Sequence, residues 1–236
     1  MKKWKSRMFL GVIAITMVLG LALSPGLVKA VPVTLQDLMD LGSTGYQVED
    51  KLFYNFDYSG SGSGGALAPP PSGITVTPIT EALNPGWKFT AGWLVLTGQT
   101  IDSSISYWVK VVNGGPFITD ISAVIAGAMR TGTGAVNLAE NVFFGLNVVG
   151  NIGLYMDSGG TKLADVVDIF PTLGPLFVVK DILLTGGTQA DSRASLSYVE
   201  NQFSESGKIP EPISLILLGS GLAGAGLYRR LRKPKG

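Results

Sequence analysis

Asp50-Lys51-Leu52-Phe53-Tyr54-Asn55-Phe56-Asp57-Tyr58 is the stretch that decides the fold class. Successive side chains of an extended strand point to opposite faces. Leu52, Tyr54, Phe56 and Tyr58 therefore share one face and Asn55 and Asp57 the other, the pattern of a half-buried β-strand. Working outward, the same alternation between Gly, Pro, Asn or Asp punctuation recurs at about Ile74–Ile79, Trp87–Leu96, Ile105–Val112, Phe117–Met129 and Ala135–Phe144. It continues at Asn147–Met156, Leu163–Phe170, Leu176–Leu184 and Ala194–Phe203. Nine or ten short strands joined by turns predict an all-β, antiparallel β-sandwich of jelly-roll type. Val33–Leu41 fits either a strand or a helical turn, because Leu35, Leu38 and Met39 lie at helical spacing.

Two features of the body bear on organisation. Ser59-Gly60-Ser61-Gly62-Ser63-Gly64-Gly65, followed by Pro69-Pro70-Pro71, reads as a flexible loop that stiffens towards its end. It is no phosphate cradle, which needs a helix opening on Lys-Ser or Lys-Thr after it. A faint repeat relates Asp120-Ile121, Gly127 and Glu140-Asn141-Val142-Phe143 to Asp181-Ile182, Gly186 and Glu200-Asn201-Gln202-Phe203. Taken as a duplicated hairpin, it predicts two related sheets with Glu140 and Glu200 in equivalent places.

The two ends differ from the body. Lys2, Lys3, Lys5 and Arg7 precede an apolar run from Met8 to Leu23, and Val28-Lys29-Ala30 offers small residues where a signal peptidase reads them. Residues 1–30 are read as a signal peptide cleaved between Ala30 and Val31, with an uncleaved anchor as the alternative because Lys29 adjoins that site. At the other end, Ile209-Pro210-Glu211-Pro212 leads into an apolar run from Ile213 to Tyr228 and then Arg229, Arg230, Arg232, Lys233 and Lys235. Sixteen residues make about 24 Å of helix, a short transmembrane span that arginine stems extend by snorkelling. The basic end stays in the cytoplasm, which puts the body outside the inner membrane. Pro210 and Pro212 hold the preceding chain extended and accessible. Gly219, Gly221, Gly224 and Gly226 have helix-packing spacing, which we read as composition rather than as a dimer contact.

The order Pro-Glu-Pro, apolar run, arginine cluster resembles the PEP-CTERM sorting signal of exosortase substrates in Gram-negative bacteria. The resemblance covers residues 209–236 and implies Pro210, Glu211, Pro212, Arg229 and Arg230 as the sorting motif. An exosortase-type processing enzyme is the implied partner, and the implied destination is the cell surface or extracellular matrix. Because the sorting systems of that family resemble those coupled to exopolysaccharide production, an exopolysaccharide or biofilm association is implied by analogy. Residues 50–58, 89–93, 102–107 and 118–120 also look like the body of many exported proteins with this tail, which implies a β-rich ectodomain and no particular chemistry. The predicted division is a signal peptide at 1–30, an exported β-sandwich at 31–208 and the sorting signal at 209–236.

Composition narrows the function classes. The chain has 18 Lys and Arg against 17 Asp and Glu, yet residues 31–209 carry 8 basic against 16 acidic, a net charge of −8. An acidic ectodomain without clustered Lys and Arg excludes a nucleic-acid partner. Histidine and cysteine are absent, which removes the commonest general base and metal ligand, all disulfides and any thiol nucleophile. Paired carboxylates for sugar hydrolysis are available in Asp165 with Asp168 and in Glu140 with Glu200. None sits in a recognisable catalytic setting, and the reading is non-enzymatic. No cofactor is expected; a structural calcium ion on Asp and Asn oxygens is the one metal considered, without an Asp-x-Asp-x-Asp-Gly loop to hold it. Trp87, Trp93, Tyr107 and Trp108 lie close along the chain. Tyr107 and Trp108 must face opposite ways, so one is more exposed, and Trp93 and Trp108 are the candidate rings for a glycan platform in a carbohydrate-binding alternative.

Overall fold

The computed structural model describes residues 31–81 and 83–205. The signal-peptide, membrane-span and sorting-motif readings fall outside those residues. Strand β1 (Val33–Thr34) runs directly into helix α1 (Leu35–Asp40), so both readings of that segment are realised in turn. Thr34 makes the switch. Its hydroxyl accepts from the Asp37 N–H at 3.1 Å while the Asp37 carboxylate accepts from the Thr34 N–H at 2.8 Å, a reciprocal cap that satisfies two helix-end donors. Hydrogen bonds from the Thr34 hydroxyl and backbone hold the Asp37 carboxyl below its usual pKa. Leu35 and Leu38 then bury against the sandwich.

The remaining strands are β2 (Tyr46–Val48), β3 (Lys51–Ser63), β4 (Thr75–Ile79), β5 (Gly86–Leu96), β6 (Thr100–Val111), β7 (Ile118–Ala126) and β8 (Met129–Thr131). They continue with β9 (Ala135–Phe144), β10 (Asn147–Met156), β11 (Thr161–Lys162), β12 (Ala164–Thr172), β13 (Leu176–Thr185) and β14 (Arg193–Glu205). One sheet has the order β1-β4-β5-β14-β7-β12, with β8 also on β14; the other runs β11-β10-β9-β13-β6-β3-β2. From β5 onward consecutive long strands change sheet except at the β9–β10 hairpin, so that β5-β14-β7-β12 faces β6-β13-β9-β10, the two Greek keys of a jelly roll. The antiparallel sandwich expected from period-two patterning is therefore present.

Three local expectations fail, each for a physical reason. The opening strand does not keep Leu52, Tyr54, Phe56 and Tyr58 on one face. Tyr54 pairs with Trp108 but Asp57 pairs with Ser106, so one extra residue is inserted at Asn55, whose φ is +51°. Before this bulge Phe53 points into the core and Leu52 and Tyr54 point out; after it Phe56 points in and Asp57 out. Second, Ser59–Ser63 is no loop but the end of β3, paired with Thr100–Ser104 of β6. The glycines are there for close approach. A Cβ on Gly62 would overlap the Ala66 carbonyl, and one on Gly60 the Tyr58 hydroxyl, because residues 66–69 fold back across the strand. The Tyr58 hydroxyl donates to the Pro69 carbonyl at 2.6 Å and fastens that return. Third, Phe117–Met129 is two strands: the chain breaks at Gly127, φ +64°, where a Cβ would strike Ser197 at the bulge of β14.

The core lies between the sheets. Phe53 and Phe56 of β3, Trp87 and Phe89 of β5, Tyr107 of β6 and Phe203 of β14 form one buried aromatic cluster, with ring centroids 5.1–6.5 Å apart. Beside it runs a buried polar chain. The Tyr107 hydroxyl donates to Asn201 Oδ1, Asn201 Nδ2 donates to Glu140 Oε1 at 3.0 Å and to the Ser122 carbonyl at 2.8 Å, and Lys180 Nζ donates to Glu140 Oε2. Burial pushes the Lys180 ammonium below its usual pKa and, with the Glu140 charge, the Tyr107 hydroxyl well above its own.

Candidate functional site

The outer face of the second sheet carries the most organised set of accessible side chains. Register brings four rings into one row across four strands: Tyr54 of β3 opposite Trp108 of β6, Trp108 opposite Phe177 of β13, and Phe177 opposite Phe143 of β9. Tyr54 and Trp108 stack with centroids 6.4 Å apart and planes 24° apart; Trp108 and Phe177 are 5.0 Å apart, and Phe177 and Phe143 6.1 Å. Cross-strand aromatic neighbours support one another in this geometry. Val148 of β10 extends the row by register. Lys110 Nζ sits 5.3 Å from the Tyr54 ring centre, and partial burial raises the Tyr54 pKa. All four rings are half-buried.

Below this row the same face turns polar. The next register row is Asp57, Ser106, Val179, Asn141 and Asn151, with Asn151 donating to Asn141 at 2.8 Å. The row after it holds Ser59, Ser104 and Asp181, and a further one Ser61, Asp102 and Leu183. These last residues, with Gly60, line an open groove of about 340 Å³. An aromatic strip beside carboxylates, amides and hydroxyls suits a ligand with one apolar face and a rim of hydroxyls. A pyranose ring is such a ligand, its C–H face stacking on a ring and its hydroxyls donating to Asp and Asn oxygens.

Trp108 is one of the two rings read as a platform, and it lies in this row while its neighbour Tyr107 is fully buried. Trp93, the other, is corrected: it is 1% exposed, packed in the core with Nε1 donating to the Ser103 hydroxyl at 3.3 Å, because β5 is a central strand whose alternate residues fill the sandwich. Tyr54, Phe143 and Phe177 were missed. No local pattern joins them, since they meet only through the pairing of separate strands, and strict alternation along residues 52–58 puts Tyr54 on the same face as Phe56.

The acid pairs do not form a hydrolytic site. Asp165 and Asp168 are three residues apart in β12 and so point to opposite faces; Asp165 pairs with Lys162 at 2.7 Å, and Asp168 lies opposite Asp120. The repeat does not place Glu140 and Glu200 symmetrically either. Glu140 points inward from β9 and is fully buried on Lys180, whereas in β14 the inward residue is Asn201, leaving Glu200 outward opposite Lys88. Among the described residues no group of three or more His, Cys, Asp or Glu side chains is placed to hold a metal ion. Ala30 lies outside the described residues, and Val31 is exposed.

Residues 208–233 match the family model described as the PEP-CTERM protein-sorting motif. No curated protein matches the chain. Solved structures with a similar arrangement include TmCBM61 in complex with β-1,4-galactotriose, at 12% identity over 63% of this chain and 88% of that one, TM-score 0.30. The family 11 carbohydrate-binding module from Clostridium thermocellum, in complex with a β-1,3-1,4-mixed-linked tetrasaccharide, matches at 8% identity over 64% of this chain and 91% of its own, TM-score 0.23. The enzymatically active domain of bacteriophage CBA120 tailspike protein 4 matches at 13% identity and TM-score 0.28 over 62% of this chain, which spans 19% of that domain.

Proposed function

We propose that this chain, whose tail carries the PEP-CTERM protein-sorting motif, is a non-enzymatic exported protein of the cell surface or extracellular matrix. A signal peptidase removes the leader, the tail holds the precursor in the inner membrane, and an exosortase-type enzyme processes it at Pro210-Glu211-Pro212. The tail match at 208–233 carries this reading. Its test is Glu211→Ala in the native host: processing and release fall to background, with the full-length form retained in the membrane fraction. Unchanged mass and location in the variant would remove the sorting reading.

For the product's task we propose polysaccharide contact through the outer face of the second sheet, in an exopolysaccharide or biofilm matrix. The four-ring row from Tyr54 to Phe143, bordered by Asp and Asn side chains, favours this reading. In affinity electrophoresis against the host's own polysaccharide, Trp108→Ala is expected to weaken retention about 30-fold, the roughly 2 kcal/mol of an aromatic anchor. Trp108→Phe keeps part of it. Equal retention of wild type and Trp108→Ala would leave the ring row without a ligand role.

A further inference from the structure

The two ends of the sandwich differ in chemistry. At one end an open groove of about 610 Å³ is lined by Thr97, Thr131, Asp191, Ser192 and Arg193 beside Leu96. The opposite end holds a groove of about 310 Å³ lined by Phe117, Phe144, Phe170, Pro171 and Leu173 among others, with no charged side chain in its lining among the described residues. Next to it the two-residue turn between β9 and β10 puts Leu146 out at 98% exposure, while Phe170 at the end of β12 is 87% exposed. Large apolar side chains grouped and uncovered in this way mark a contact surface.

The position of this end says what covers it. Glu205, the last residue of β14, pairs with Ile118 of β7, and Ile118 pairs with Thr172 of β12, which lines the apolar groove. The chain therefore leaves the sandwich about 10 Å from the groove, two strand spacings away. From there Ser206 to Pro212 is seven residues, a reach of at most about 25 Å before the apolar run begins at Ile213.

We propose that this end is a membrane-contacting tip, in which Leu146, Phe170 and Leu173 enter the lipid surface of the bilayer that holds the precursor. The inference rests on the anchoring role given to the tail above. A short tether keeps the apolar end of the domain against the bilayer and turns the polar end away from it. The side chains seat at the boundary of headgroups and acyl chains, about 5–10 Å deep, as interfacial apolar groups do. Excision of the tail then releases the tip together with the product.

Because the chain has no cysteine, single-cysteine variants report from one place. Full-length Leu146→Cys and Ser63→Cys, the second at the far end of β3, are labelled with a nitrobenzoxadiazole fluorophore. Both are reconstituted in vesicles of phosphatidylethanolamine and phosphatidylglycerol, with flotation read on the same samples. The expected result is co-flotation of both, with a blue-shifted emission at position 146 that headgroup-region nitroxide lipid quenches, and a water-like, unquenched emission at position 63. Co-flotation with a water-like label at 146 overturns the tip and leaves the anchor standing. Failure to float overturns the anchor and the tip with it. A blue shift at 146 that lipid nitroxide leaves unquenched places a second copy of the chain on the groove and overturns lipid contact.

Discussion

Glu140→Ala is expected to lower folding stability by about 3–5 kcal/mol, the cost of removing one partner from a buried ion pair. Glu140 and Lys180 are both 0% exposed, so the variant leaves an ammonium group in the core with no counter-charge. It also takes the acceptor from Asn201 Nδ2, although that amide keeps the Ser122 carbonyl at 2.8 Å. The pH dependence follows from the lysine. Burial already sets the Lys180 pKa below 10.5, and loss of Glu140 lowers it further. The unfolded chain then binds more protons than the folded one between the two values, so the stability of the variant rises with pH across that window and levels off above the unfolded value. Urea denaturation from neutral to alkaline pH checks both points. Paired replacement, Glu140→Met with Lys180→Met, is expected to be far less damaging than either single change, because no charge is left buried. A single variant within about 0.5 kcal/mol of wild type, in the range of an ordinary surface change, would show that the pair is not a buried pair in solution.

Trp87→Ala is expected to cost a similar amount, about 3–5 kcal/mol, for a different reason. The indole is 0% exposed and forms edge-on contacts with Tyr46, Phe53 and Phe56 at centroid distances of 5.4, 5.3 and 6.0 Å. Removing it opens a cavity where the two sheets meet beside β2. Its Nε1, however, is buried with no acceptor among the described residues. An unpaired buried donor costs about 1–3 kcal/mol, so Trp87→Phe deletes a liability along with some packing. Phenylalanine is accordingly expected to recover more than half of the loss seen with alanine, measured as the shift in thermal midpoint. Equal damage from both substitutions would mean that the donor finds a partner.

The sandwich was legible in the sequence because one inward face makes apolar residues recur at period two, and strands such as Ala135–Phe144 and Asn147–Met156 appear at the expected bounds. Lost to that reading were the events that break the period: the extra residue at Asn55, the left-handed Gly127 and the backbone approach at Gly62. The candidate face was legible only at Trp108. Its other rings belong to β3, β9 and β13, and which of their residues stand opposite one another is a property of register. Glu140 was misread for a related reason. Glu-Asn-x-Phe is shared by β9 and β14, but the sheets meet those strands one residue out of phase, so the same letters face opposite ways.

The inserted Asn55 also acts as an index mark for the strand it interrupts. Repeats of Ser and Gly such as Ser59–Ser63 offer a neighbouring strand little to distinguish one alignment from another, and slide easily. A single widened step upstream can sit opposite only one place on β6, so it fixes the alignment of everything that follows it. The seating of Ser59 and Ser61 beside Ser104 and Asp102 is thus set by a residue that touches none of them. Deleting Asn55 would close the bulge into a regular step that leaves these pairings possible but no longer singled out, so the groove would lose its index while every groove residue stays in place in the sequence.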